Sequence, residues 1–239
     1  MHLSQLHYLP LPLTFLSFLA GILVVLVILV QINVLRFAYM RIGLSPGMAL
    51  LILFGSLVGS YVNIPVAELG QQHIVSGREI DYFGMRYVVP VVVNWPGTII
   101  AVNVGGALIP GATSVYLLAK NGLWMQGAIV TAIVAAVCHY LASPVPGLGI
   151  ALPVFVPAAT TAVAALLVSR TNAAPLAYIG GCFGTLVGAD LLNLDKLQGL
   201  GAPIASIGGA GTFDGIFLTG ILAVLLASLG DWFRAKRGR

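Results

Sequence analysis

Charge is what this sequence has least of. Asp, Glu, Lys and Arg make up 8% of its 239 residues, whereas soluble domains carry roughly 25%. Seven acids and eleven bases are too few to solvate the surface of a globule this long. Lipid is therefore the expected solvent for most of that surface. The bases lie mostly singly between apolar runs and form no basic stripe, which excludes a nucleic-acid partner. Cysteine is nearly absent: Cys138 and Cys182 both fall inside apolar runs and read as small packed hydrophobes. No HExxH or CxxC spacing, phosphate loop, dinucleotide fingerprint or Gly-x-Ser-x-Gly element occurs. The sequence thus implies no metal and no cofactor. It also lacks heptads, polar linkers, low-complexity tails and solenoid repeats. No Lys or Arg precedes the first apolar run and no small-residue cleavage site follows it, so that run reads as a retained helix and not a removed signal peptide.

Hydrophobic residues supply 59% of the chain and mean hydropathy is +1.03. Seven apolar runs approach the roughly 20 residues a membrane span needs: Leu13–Leu35, Ser45–Asn63, Gly97–Ala119, Leu123–Ala142, Gly149–Ser169, Pro175–Leu194 and Ile204–Leu229. The expectation is an all-α, polytopic transmembrane bundle of about seven spans, one domain over residues 1–239. Asn103 and Pro110 inside the third run predict a kink. With the N-terminus outside, the inner side receives Arg36, Arg41, Lys120, Arg170, Arg234, Lys236, Arg237 and Arg239. The outer side receives only Arg78, Arg86 and Lys196. That bias follows the positive-inside rule and needs an odd number of spans, with the C-terminus inside.

Two outer connections stand out. Between the second and third spans, Arg78 to Val89 sets aromatic and β-branched residues on either side of Gly84. Either a short β-hairpin forms there, or the segment is an interfacial loop with its tyrosines and Trp95 at the headgroups. Ser143-Pro144-Val145-Pro146-Gly147 reads as a rigid turn.

Chemistry concentrates on two acids. Glu68, Glu79, Asp81 and Asp195 fall in outer loops and Asp231 at the inner end, leaving Asp190 and Asp214 within apolar spans. A carboxylate at bilayer depth costs roughly 2.5–3.5 kcal/mol, so such residues usually face a cavity, partner or substrate path. Asp190 is expected near the outer end of the sixth span and Asp214 early in the seventh, at similar depths. Two carboxylates together in low dielectric resist double ionisation. Such a pair suits activation of water against a peptide bond, or binding and release of a proton or cation in transport. The bland alternative is that each caps a broken helix or bonds to local donors. Gly180, Gly184 and Gly188 form a seam for a close helix neighbour, and Asp190 lies about 160° around the helix from Gly188. Seam and carboxylate are thus expected to meet different neighbours. His139 is a weaker candidate, expected to bond to nearby backbone, with Asn63, Asn103 and Thr212 as other polar partners.

The runs Ala174–Leu194 and Gly208–Gly220, with the Pro-Val-Pro-Gly turn, resemble a prokaryotic membrane family of unknown function, number 1614 in its series. That resemblance implies membrane location and no assigned activity. The layout is also distantly similar to intramembrane aspartyl proteases of the presenilin and signal peptide peptidase type. Those carry one Asp in the sixth span and another in a Gly-x-Gly-Asp motif of the seventh. Asp190 and Asp214 occupy matching spans. Here, however, Thr212 and Phe213 intervene before Asp214, no Tyr precedes Asp190, and no Pro-Ala-Leu element occurs. The similarity implies a diaspartyl hydrolase with Asp190 and Asp214 as catalytic residues, and with the outer hairpin pairing to an extended substrate. A proton- or cation-coupled permease and a non-catalytic subunit of a larger complex are the alternatives. The partners expected are membrane lipids and either a transmembrane substrate protein or a larger membrane complex. The compartment expected is a prokaryotic cytoplasmic membrane.

Overall fold

A computed structural model describes residues 21–22, 24, 42–70, 72–82, 85–95, 97–145, 149–153, 155–197, 204–209, 216 and 219–228, with backbone alone over 72–95 and at 149. Most of the expected first span and all of residues 210–215, Asp214 included, lie outside these residues. The described part is mostly helical, with short strands set between the helices.

Helix α1, Pro46–Gly59, starts where Ser45 Oγ accepts from the Met48 amide at 3.3 Å and Pro46 occupies the first turn, a favoured place for a residue without an N–H. The chain then becomes extended. Strands β1 (Asn63–Leu69), β2 (Gln72–Tyr82), β3 (Met85–Trp95) and β4 (Thr98–Asn103) form a long antiparallel ribbon. Leu69 stands opposite Thr98, and Gln72 opposite Trp95, so the register carries over from one ladder to the next, and it shifts by one residue between Pro65 and Ala67. The hairpin reading of Arg78 to Val89 therefore holds, within strands longer than expected. A π-turn, Val104–Leu108, leads from β4 into α2, Ile109–Asn121, which ends on left-handed Gly122 (φ 63°). Next come α3 (Trp124–Leu141), the small β5 and β6 pair (Ser143–Val145, Gly149–Ala151) and α4 (Phe155–Val168). Helix α5, Ala173–Thr185, continues through a π-segment, Leu186–Asp190, into a 3-10 stretch, Leu191–Leu197. Strand β7 (Ile204–Ile207) and helix α6 (Thr219–Ser228) complete the described chain. β4 is central in the order β1-β4-β7, antiparallel to β1 and parallel to β7.

The all-α expectation is thus corrected. The third run begins as β4 because Thr98-Ile99-Ile100-Ala101-Val102 is largely β-branched and Asn103 closes the strand by capping the turn behind it. The fifth begins as β6 and the seventh as β7. Among the described residues, two helices are long and apolar enough to cross a membrane: Trp124–Leu141 (18 residues, mean hydropathy 1.5) and Ala173–Leu197 (25 residues, mean hydropathy 1.3). Pro46–Gly59, Phe155–Val168 and Thr219–Ser228 are apolar but shorter.

Helix α5 is the centre of the packing: from Ala173 to Thr185 only Phe183 is not fully buried. Its glycine seam faces α3, where Gly180 meets Val130, Gly184 meets Val134 and Gly188 meets Ala135. Gly181 meets Gly220 of α6 on another side. A side chain at these positions would strike a neighbour, which is how small residues bring helix axes together. The outward faces are as apolar as the interior: α3 exposes Trp124, Met125, Ile133 and Tyr140, and α4 exposes Phe155, Val163 and Leu167.

Candidate functional site

Asp190 sits where α5 loses its regular ladder. In the π-segment each backbone bond skips one residue further than in an α-helix, and the 3-10 stretch then tightens the turn. Such a transition frees carbonyls in the interior, where each needs a partner. Asn193 provides it: fully buried, its Nδ2 donates to the carbonyls of Gly188 at 2.8 Å and Ala189 at 3.0 Å. Its own backbone is non-helical (φ −120°, ψ 16°). The break leaves Gly188 on the α3 side and carries Asp190 toward the end of β7, as the helical-angle expectation required.

There the Asp190 carboxylate Oδ2 accepts a hydrogen bond from the amide of Gly208 at 2.7 Å. No basic side chain among the described residues stands close enough to neutralise it. Gly208 follows β7 directly and has φ +98°, a conformation that L side chains rarely adopt. A Cβ there would also lie 2.7 Å from the Ala107 amide nitrogen. Glycine is thus required twice over at the point where the carboxylate binds.

A network of amides and hydroxyls fixes the sheet beside this contact. Asn103 Nδ2 donates to the Ser60 carbonyl at 2.8 Å and to Asn63 Oδ1 at 3.0 Å, while its Oδ1 accepts from the Gly106 amide at 2.8 Å. Ser206 Oγ donates to the same Asn63 Oδ1 at 2.7 Å. The residue after α1, one end of the β1–β4 pair and strand β7 are therefore pinned at one place. Asn63 bonds to Asn103 and Ser206, and Asn103 to Asn63, Ser60 and Gly106, so these partners are not His139.

His139 is half-buried, and its Nδ1 has no partner among the described residues. Cys138, beside it, points its thiol at Thr185 Oγ1, 4.0 Å away. Cys138 and Cys182 are both buried and form no disulfide. No group of three His, Cys, Asp or Glu side chains that could hold a metal occurs among the described residues.

Sequence reading overlooked Asn193 and Ser206. Asn193 is visible in sequence only as one amide in Leu191-Leu192-Asn193-Leu194, with no spacing to mark it. Ser206 carried a usable signal. Val102-Asn103-Val104-Gly105-Gly106-Ala107 and Ser206-Ile207-Gly208-Gly209-Ala210 each run from a strand into Gly-Gly-Ala, and the two strands lie parallel and paired.

The architecture is that of a mostly helical protein with two candidate membrane spans, its helices broken around a small sheet and a part-buried acid. The sequence profile of the family described as "Protein of unknown function (DUF1614)" matches residues 57–226. The chain belongs to that family, and the match covers every element that builds the site from the last turn of α1 onward. No curated protein and no solved structure shows significant similarity to it.

Proposed function

We propose that this chain is an integral protein of a prokaryotic cytoplasmic membrane, spanning it about seven times with its N-terminus outside, and that it hydrolyses peptide bonds with Asp190 and Asp214. The observation that carries the proposal is the contact of Asp190 with Gly208. It fixes one intramembrane carboxylate at the start of the segment that holds the other. From residue 208 to residue 214 a fully extended chain spans at most about 20 Å, a reach compatible with a site shared by the two acids. The exposed apolar faces of α3 and α4 support the membrane reading. Trp124 and Tyr140, both exposed, stand about 24 Å apart along α3, as aromatic residues do at the two interfaces of a bilayer.

In the proposed reaction one ionised carboxylate takes a proton from water while the water oxygen bonds to the peptide carbonyl carbon. The other, protonated carboxyl gives its proton to the carbonyl oxygen. Collapse of the tetrahedral species breaks the C–N bond as the first carboxyl returns its proton to the amine nitrogen and the second takes one back from a hydroxyl of the gem-diol. Strand β7 is at the edge of its sheet among the described residues, and Gly208 directly after it bonds to Asp190, so an extended substrate strand adding there would lie near the acid.

The test is co-expression with a single-span membrane substrate. Asp190→Asn and Asp214→Asn should each abolish cleavage, and an aspartyl transition-state inhibitor should protect the substrate. Intact cleavage in either variant would end the proposal. One observation favours a second reading, ion-coupled transport: the break in α5 leaves Asn193 Oδ1 buried and without a partner among the described residues, beside backbone carbonyls and a carboxylate, as in discontinuous helices that bind ions. Gradient-driven uptake into vesicles, lost with Asp190→Asn and unaccompanied by cleavage, would replace hydrolysis with transport. A subunit without catalysis would co-purify with a larger complex and tolerate both substitutions.

A further inference from the structure

The ribbon of β2 and β3 has two unlike faces. Side-chain direction alternates along a strand, and residues directly opposite share a face. From the register, Ile74, Ile80 and Tyr82 fall on the same face as Tyr87, Val91 and Trp95. The polar positions of that face are Gln72, Ser76 and Arg78. The other face carries His73, Glu79, Asp81, Arg86 and Asn94, with Asp81 directly opposite Arg86, an opposite-charge pair that favours this register.

A two-stranded ribbon is marginal by itself in water, so a face this apolar needs a cover. Hydrocarbon cannot enclose the ribbon, because neither of its edges has a partner strand among the described residues and their N–H and C=O groups must reach water. Only the boundary between headgroups and acyl chains meets both demands. There the apolar face enters lipid while the edges and the charged face stay hydrated. Tyr and Trp are the residues enriched at that depth.

We infer that the β2–β3 ribbon lies flat on the bilayer surface as an interfacial arm, with the face of Ile80, Tyr87 and Trp95 against lipid. At 11 residues per strand it reaches about 35 Å. Its strands hold Arg78 and Arg86 against Glu79 and Asp81, so the attraction is hydrophobic and not electrostatic. This inference rests on the membrane location proposed above and is independent of hydrolysis.

The test uses the full chain in vesicles of zwitterionic phosphatidylcholine, with a nitroxide on Ile80→Cys or Val91→Cys for one face and on Glu79→Cys or Val92→Cys for the other. The native thiols, being buried, should stay unlabelled in the unsubstituted chain. Collisions with oxygen, which concentrates in lipid, should exceed those with a water-soluble nickel complex several-fold at Ile80 and Val91. The order should reverse at Glu79 and Val92. Replacing a third of the lipid with anionic phosphatidylglycerol should change neither. Equal nickel access on both faces would overturn the inference. So would protection from both reagents at Ile80 and Val91, which means cover by protein, and so would dipolar broadening between labels, which means a second copy of the chain.

Discussion

Asp190 and Gly208 are joined by a 2.7 Å hydrogen bond across 18 residues of sequence, and this bond connects two breaks in regular structure. On one side α5 passes from α through π to 3-10 geometry; on the other β7 ends in a left-handed glycine. The carboxylate at the end of the π-segment accepts from the amide of the positive-φ glycine that follows β7, so each break supplies one partner of the bond. Asp190 therefore has a local structural duty besides any chemical one, and the two can be separated experimentally.

Asn at position 190 keeps an oxygen acceptor for the Gly208 amide but cannot exchange a proton. Asp190→Asn should weaken a charge-assisted bond to a neutral one, at about 1 kcal/mol. Asp190→Ala strands the amide, at about 1–3 kcal/mol. Denaturant unfolding in detergent should rank the variants in that order, while both lose cleavage completely.

Gly208→Ala should be worse than Gly122→Ala, although both glycines have positive φ. At Gly122 a methyl group would meet nothing within 4 Å, so the cost is backbone strain alone, about 1–2 kcal/mol. At Gly208 the methyl would also press on the Ala107 amide and its Cβ, at 2.7 and 2.8 Å. The π-turn or β7 must then move, and the Asp190 contact with it. The expected outcome is a larger fall in unfolding midpoint for Gly208→Ala, accompanied by loss of cleavage that Gly122→Ala does not show.

Hydropathy made the helical regions legible because burial in lipid or protein demands uninterrupted apolar runs. The runs at Leu123–Ala142 and Pro175–Leu194 correspond closely to α3 and to α5 with its extension. The same measure hid the strands, since Thr98-Ile99-Ile100-Ala101-Val102 and Ile204-Ala205-Ser206-Ile207 are as apolar as any helix and too short to show a period. The glycine seam was readable from its spacing, and so was its divergence from Asp190. Asn193 was not, because its partners are carbonyls freed by a helix irregularity that no residue pattern announces. Asp190 could be singled out by cost alone; Asp214 shares that cost but lies outside the described residues.

Asn193→Leu keeps the volume and removes both donors. The Gly188 and Ala189 carbonyls would then be buried without partners, at a combined cost of about 2–4 kcal/mol. Asn121 is a control, since its Nδ2 donates to one carbonyl, Leu117, at 3.0 Å and it is exposed. Asn121→Leu should cost about 0.5 kcal/mol. A comparable loss in both variants, read as unfolding midpoints in one detergent, would mean that Asn193 does not brace the π-segment.

Ser206 and Asn103 donate to a single acceptor, Asn63 Oδ1, at 2.7 and 3.0 Å. That sharing predicts a particular non-additivity. Ser206→Ala leaves the acceptor to Asn103 and should cost about 1 kcal/mol. Asn103→Ala leaves it to Ser206 but also frees the Ser60 carbonyl and the Gly106 amide, so about 3 kcal/mol is expected. With both substitutions Asn63 Oδ1 has no donor, and the double variant should fall below the sum of the singles by about 1 kcal/mol. A double-mutant cycle in detergent measures this directly. Additive losses would show that the three side chains act separately, leaving β7 held to the sheet by its backbone alone.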